Sequence, residues 1–158
     1  MNLVAVDYQA DNAAELFAKS LHETGFGVLK NPPIQKQLVE DIYTAWQAFF
    51  DSEEKFDYTY NKGTQDGYFS KSVSEVAKGF KKKDIKEYFH YYPWGMCPPE
   101  LKQQLADYYA KTTNLAAELL SWVEDNAPDD VKASFNEPLP QMIDGSEQPL
   151  LRVLHYPP

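Results

Sequence analysis

From Pro99 onward the sequence holds one helical period for longer than anywhere else in the chain. Leu101, Leu105, Tyr108, Thr112, Leu115, Leu119 and Trp122 recur every three to four residues, which lines them up along one side of a helix. A helix from Pro99 to Asn126 would run ~40 Å, enough to cross a whole domain. A rod of that length with one apolar stripe must lean on a sheet or on other helices. The fold is therefore decided by what the rest of the chain can supply as its partner.

A second amphipathic segment carries Ile34, Leu38, Ile42, Trp46 and Phe49 on one side, and Asp51 or Ser52 opens a short continuation through Lys55. A third begins near Asn12, with Glu15 placed to complete a capping box. Leu16, Phe17 and Leu21 form its stripe, and Gly25 ends it. Pro128 starts a short helix through Phe135. Between these lie extended segments: Leu3–Tyr8, Phe26–Leu29, Gly67–Ser70 and Glu87–Tyr92. A last one shows strict alternation, in which Leu151, Val153 and His155 interleave with Arg152, Leu154 and Tyr156. So few short strands cannot close a barrel. The inventory predicts an α+β fold whose sheet is incomplete.

The composition narrows the function. The chain has 158 residues, 43% of them hydrophobic and 15% aromatic, which suits one ordinary domain with a core and aromatic-lined pockets. A net charge of −9 argues against nucleic acid as a partner. The one basic run, Lys81-Lys82-Lys83 beside Asp84, reads as a solvated loop. The lone Cys97 excludes an internal disulfide and suggests a reducing compartment. No stretch approaches the ~20 apolar residues of a membrane span, and the N-terminus lacks the pattern of a signal peptide. A cytoplasmic protein without a membrane partner is the expectation.

Several segments, taken in order, resemble the N-terminal part of the isopenicillin N synthase-like non-haem iron oxygenases, most of which use 2-oxoglutarate. Val4-Ala5-Val6-Asp7-Tyr8 is similar to the family's opening strand. Gly25-Phe26-Gly27-Val28-Leu29 through Asn31 resembles its "GF-x-x-(V/L)-x-N-H-G", with Pro32-Pro33 in place of His-Gly. Phe49-Phe50 followed by Glu53-Glu54-Lys55 resembles "FF-x-L-P-x-E-x-K" without the proline. Gly67-Tyr68-Phe69, Lys86-Glu87-Tyr88-Phe89-His90 and Leu151 through Pro158 follow at about the family's spacing.

The resemblance implies that residues 1–149 form the N-terminal oxygenase region and that residues 150–158 are the first part of a double-stranded β-helix, the jelly-roll core, left incomplete. Family members hold Fe(II) with a 2-His-1-carboxylate triad that leaves positions open for cosubstrate and O₂. Here the histidines are His22, His90 and His155, and no His-x-Asp or His-x-Glu occurs. Fe(II) and 2-oxoglutarate are thus implied for a parent enzyme, and neither is expected to bind this chain alone. No residue here is a catalytic or metal-ligand candidate. Tyr156, directly before Pro157, stands where the family's tyrosine reaches the far carboxylate of 2-oxoglutarate. Leu154 replaces an asparagine that helps it in many relatives. Gln65, Tyr68, Phe69, Tyr88, His90 and Arg152 are the implied substrate-pocket residues. For Arg152 the choice lies between a substrate acid and a structural carboxylate.

Two readings follow. In the first, the chain is the N-terminal portion of an oxygenase that oxidises a small molecule and is inactive alone. Its last strand then pairs with the missing part of the barrel, or with another chain. In the second, it is a free-standing, non-catalytic domain of the same family that binds a small ligand or a protein. An unprotected edge at Leu150–Tyr156 favours the first.

Overall fold

The computed structural model describes residues 3–73, 85–146 and 148–157. The basic run at Lys81–Lys83 lies outside them. The chain divides into two compact units. One comprises Met1–Lys36 with Tyr108–Ser146, the other Gln37–Asp107 with Glu147–Pro158.

In the first unit, strand β1 (Ala5–Asp7) leads into helix α1 (Ala13–Thr24), which returns the chain to strand β2 (Val28–Lys30). The two strands pair in parallel, with Val6 opposite Leu29. Helix α1 buries Ala13, Phe17 and Ser20, positions that fall on one face at this spacing. Gly25 ends it at φ 78°, and its N–H reaches the carbonyl of Leu21. That left-handed turn suits glycine. The expected capping box does not form. Asn12 sits at φ −104°, ψ 19°, and its side chain makes no capping bond. An N-cap side chain needs an extended backbone to reach the free N–H groups.

Helix α2 spans Lys36–Asp51, in the second unit from Gln37 onward, and the long helix α3 spans Pro99–Asp125, entering the first unit from Tyr108 onward. In the first unit Trp122 of α3 meets Tyr8 at 5.4 Å and Phe17 at 5.9 Å between ring centroids. Tyr8 donates its hydroxyl to Glu118. The C-terminal end of α3 is satisfied by Lys132, whose Nζ donates to the carbonyl of Asp125 at 2.8 Å. Lys132 closes α4 (Asp129–Lys132), a shorter helix than the sequence suggests.

The second unit holds α2, a 3-10 turn at Glu54–Tyr58, and strands β3 (Gly67–Phe69), β4 (Glu87–Tyr91) and β5 (Leu151–His155). The strands form an antiparallel sheet in the order β3-β4-β5. Tyr68 faces Phe89 across β3 and β4, and Glu87 faces His155 across β4 and β5. One face of the sheet packs on α2, where Trp46 and Phe49 lie 5.0 and 5.7 Å from Phe89. Phe50 lies against Tyr68 and His155. These rings and the fully buried Leu105 make the core of the unit. The fold is a mixed helix-and-sheet arrangement, and among the described residues no sheet closes into a barrel.

Candidate functional site

Successive strand residues point to opposite faces, so the registers sort the sheet's side chains into two sets. The core face carries Tyr68, Glu87, Phe89, Val153 and His155. The other face carries Phe69, Tyr88, His90, Arg152 and Leu154. Exposure continues to alternate through Tyr156, which is 64% exposed and follows Arg152 and Leu154. Four of the sequence-implied residues, Phe69, Tyr88, His90 and Arg152, are thereby gathered on one side, and Tyr156 lies just beyond the end of β5. Tyr68 is not with them. Its neighbour Phe69 takes that side, and Tyr68 turns to the core.

The gathered face is an aromatic stack with one cation. Tyr60 stacks on Phe69 at 4.3 Å, and Phe69 stacks on Tyr88 at 4.7 Å. The His90 ring lies 4.5 Å from Phe69 and 5.0 Å from Tyr88. The Arg152 guanidinium lies over the Tyr88 ring, 5.0 Å from its centroid, and donates from Nε to Nε2 of His90 at 2.9 Å. The other ring nitrogen of His90, Nδ1, is 3.0 Å from the carbonyl oxygen of Gln65. Gln65 thus takes part through its backbone, while its side chain turns back to the carbonyl of Lys62.

None of the ion pairs among the described residues involves Arg152. Among the described residues it is the His90 ring, and not a carboxylate, that holds it. Tyr60 was absent from the sequence-based set. Its contact with Phe69 arises from a loop whose path carries no periodic signal.

Behind this face, on the core side, Glu87 is a buried carboxylate held by three donors. Tyr68 donates to Oε2 at 2.5 Å, Lys55 approaches the same oxygen at 3.4 Å, and His155 lies 2.8 Å from Oε1. Burial works to raise the Glu87 pKa, but hydrogen bonds from Tyr68 and His155 and the charge of Lys55 overcome it and leave it lowered. Tyr68 moves the other way. Its burial, and then its bond to the Glu87 carboxylate, push the phenol far above its ordinary value. The network fixes β3, β4 and β5 together and so sets the residues on the opposite face.

The described residues do not fit an iron centre. No group of three His, Cys, Asp or Glu among the described residues is arranged to hold a metal ion. His90 and His155 each have both ring nitrogens engaged. Cys97 has its thiol pushed up to about 11 by burial, which leaves it protonated and a poor ligand at neutral pH.

Residues 3–113 match the family described as the N-terminal domain of the non-haem dioxygenase in morphine synthesis, and the chain belongs to that family. It is the N-terminal part of the 2-oxoglutarate/Fe(II) oxygenase class of folds. Among solved structures it is similar to a candidate oxygenase from Shewanella oneidensis, with 55% identity and a TM-score of 0.90 over all of this chain and 57% of that one. A full-length Neurospora crassa protein in complex with alpha-KG is 21% identical, with a TM-score of 0.70 over 98% of this chain and 54% of that one. A 2OG-Fe(II) oxygenase family protein from Caulobacter crescentus is also 21% identical, with a TM-score of 0.64 over 78% of this chain and 48% of that one. The last two show the fold alone. The chain spans about half the length of the structures it matches. No curated protein matches it. Among the described residues, no helix is long and apolar enough to cross a membrane.

Proposed function

We propose that this chain is the N-terminal portion of a non-haem Fe(II), 2-oxoglutarate-dependent oxygenase acting on a small molecule, and that it is inactive alone. In this reading the β3-β4-β5 sheet continues into a jelly roll, with residues 150–158 as its entry strand. The iron ligands come from outside this chain. The bound iron and cosubstrate supply the oxidising chemistry, and the residues here bind and orient. The edge of β5 that has no neighbouring strand among the described residues then takes the next strand of the barrel as its partner.

The observation that carries the proposal is the single face on which Phe69, Tyr88, His90 and Arg152 converge, with Tyr156 following just past the end of β5. Phe69 and Tyr88 offer an apolar floor. Arg152 offers a planar fork for a carboxylate or carbonyl acceptor. Tyr156 offers an uncharged donor for the far carboxylate of 2-oxoglutarate. The Neurospora crassa relative was solved with alpha-KG, and again with alpha-KG and thymine, which supports 2-oxoglutarate as cosubstrate. Oxygen consumption by the protein that carries this chain tests the proposal. Uptake should require both Fe(II) and 2-oxoglutarate, and uptake indifferent to 2-oxoglutarate would refute it.

A further inference from the structure

Three groups form a chain of hydrogen bonds from the loop before β3 across the sheet face to β5. The first is the Gln65 carbonyl. Gln65 adopts φ 61°, a left-handed conformation that a non-glycine residue keeps only when its surroundings hold it there. They do. Its N–H donates to the carbonyl of Asn61 at 2.7 Å, and the Asn61 N–H donates to the carbonyl of Asp66 at 3.0 Å. The buried Asp66 carboxylate accepts from the Met96 N–H at 2.7 Å and from the Thr64 hydroxyl. The loop is clamped, and its clamp aims the Gln65 carbonyl at Nδ1 of His90.

The second group is the His90 ring, and the third is Arg152. A guanidinium Nε–H can only donate, so the atom it reaches, Nε2 of His90, must present its lone pair. A neutral imidazole with its lone pair on Nε2 carries its proton on Nδ1, where the Gln65 carbonyl accepts it. Both bonds are satisfied in that one tautomer. Among the chain's 15 basic residues Arg152 is the single arginine. A lysine could not send one directed N–H to a ring nitrogen while holding two NH₂ groups in the same plane. With Nε bound to His90 and the guanidinium lying over the Tyr88 ring, the orientation of the terminal NH₂ groups is set.

We infer that His90 is a positioning residue: its Nδ1-protonated ring, oriented by the Gln65 carbonyl, holds the Arg152 guanidinium ready for a carboxylate of the small-molecule ligand. The inference rests on the reading of this face as a pocket wall. It adds the class of ligand group, a carboxylate, and the residue that prepares its receptor.

Nuclear magnetic resonance of the ¹⁵N-labelled chain tests it. Long-range ¹H–¹⁵N correlations report the His90 tautomer, and a single arginine gives a single Nε–H signal. The expected result is a proton on Nδ1, none on Nε2, and a protected Arg152 Nε–H. His90→Gln puts an amide oxygen near the Nε2 position and should keep that protection. His90→Asn reaches only the Nδ1 position and should lose it. Benzoate serves as the carboxylate probe. The native chain and His90→Gln should bind it alike, and His90→Asn about tenfold more weakly, as the loss of one charge-assisted hydrogen bond implies. A proton on Nε2 of the native chain would overturn the inference without recourse to any variant, as would an unchanged Arg152 signal in His90→Asn. An Nδ1 tautomer with no response to benzoate in the native chain would instead overturn the ligand half, and the pocket-wall reading with it.

Discussion

Nδ1 of His155 on β5 stands 2.8 Å from Oε1 of Glu87 on β4, at the pair of residues that the antiparallel register sets opposite each other. The same carboxylate accepts the Tyr68 hydroxyl from β3, and its third donor, Lys55, also bonds the carbonyl of Phe50 near the end of α2. One buried charge therefore joins all three strands of the sheet to the helix beneath them.

Removing that charge should be expensive. Glu87→Ala leaves Lys55 and His155 facing an apolar hole and is expected to lose about 3–5 kcal/mol, the usual cost of breaking a buried pair. Glu87→Gln keeps the volume and some hydrogen bonding, so it should lose less. Urea denaturation monitored by tryptophan fluorescence measures both. Equal, negligible losses would mean that the network contributes nothing.

Acid stability should follow from the same group. The folded-state pKa of Glu87 lies below its ordinary value of 4.5. Its contribution is therefore fully present above about pH 4.5 and is lost as the pH falls through the lower folded value. Tyr68→Phe removes one of the donors that lower it. The variant should begin to unfold at a higher pH on the acid side, with stability at neutral pH reduced by about 1.5–3 kcal/mol. Stability curves against pH for the two proteins would overlay if Tyr68 were merely a packed ring.

Two glycines with positive φ should respond very differently to alanine. Gly25 at φ 78° has open space around the position of a Cβ, so Gly25→Ala should cost only about 1 kcal/mol of backbone strain. Gly67 at φ 99° would place its Cβ 2.6 Å from the Tyr58 carbonyl and 2.7 Å from the Met96 sulfur. Gly67→Ala adds a steric clash with fixed backbone to the same strain and should cost at least twice as much. Thermal unfolding of the two variants, run side by side, reads the difference.

The helices were legible because long apolar periods report directly on which side is buried. Ile42, Trp46 and Phe49 of the stripe are buried on α2 and Gly25 ends α1, as local pattern alone indicates, whereas Leu38 is half-buried and Ile34 lies before α2 begins. Asn12 was not, because a capping residue works only from one backbone conformation, and its neighbours set another. Strand pairing was also out of reach. Glu87 and His155 are 68 residues apart, and nothing local records their meeting. The placement of Tyr68 away from Phe69 was available in principle, since adjacent strand residues diverge. The part played by Gln65 was not, because it lies in a carbonyl oxygen that every residue has.

Arg152→Lys should separate binding from folding. The side chain is exposed, so stability should fall only by the loss of its bond to the buried His90 ring, about 1 kcal/mol. Lysine offers neither the bond to His90 nor the fork, so benzoate binding should fall about tenfold. Retention of binding in the lysine variant would show that only the positive charge matters there.

The most direct test of the account is an anaerobic titration of the Fe(II)-loaded protein that carries this chain with 2-oxoglutarate, following the absorption band that appears as the cosubstrate joins the metal. The native protein should bind one equivalent. Tyr156→Phe should bind about tenfold more weakly, through loss of a hydrogen bond to a charged group, and Arg152→Ala should bind as the native does. No saturable band, or an affinity indifferent to Tyr156→Phe, would contradict the assignment of this face to the oxygenase pocket.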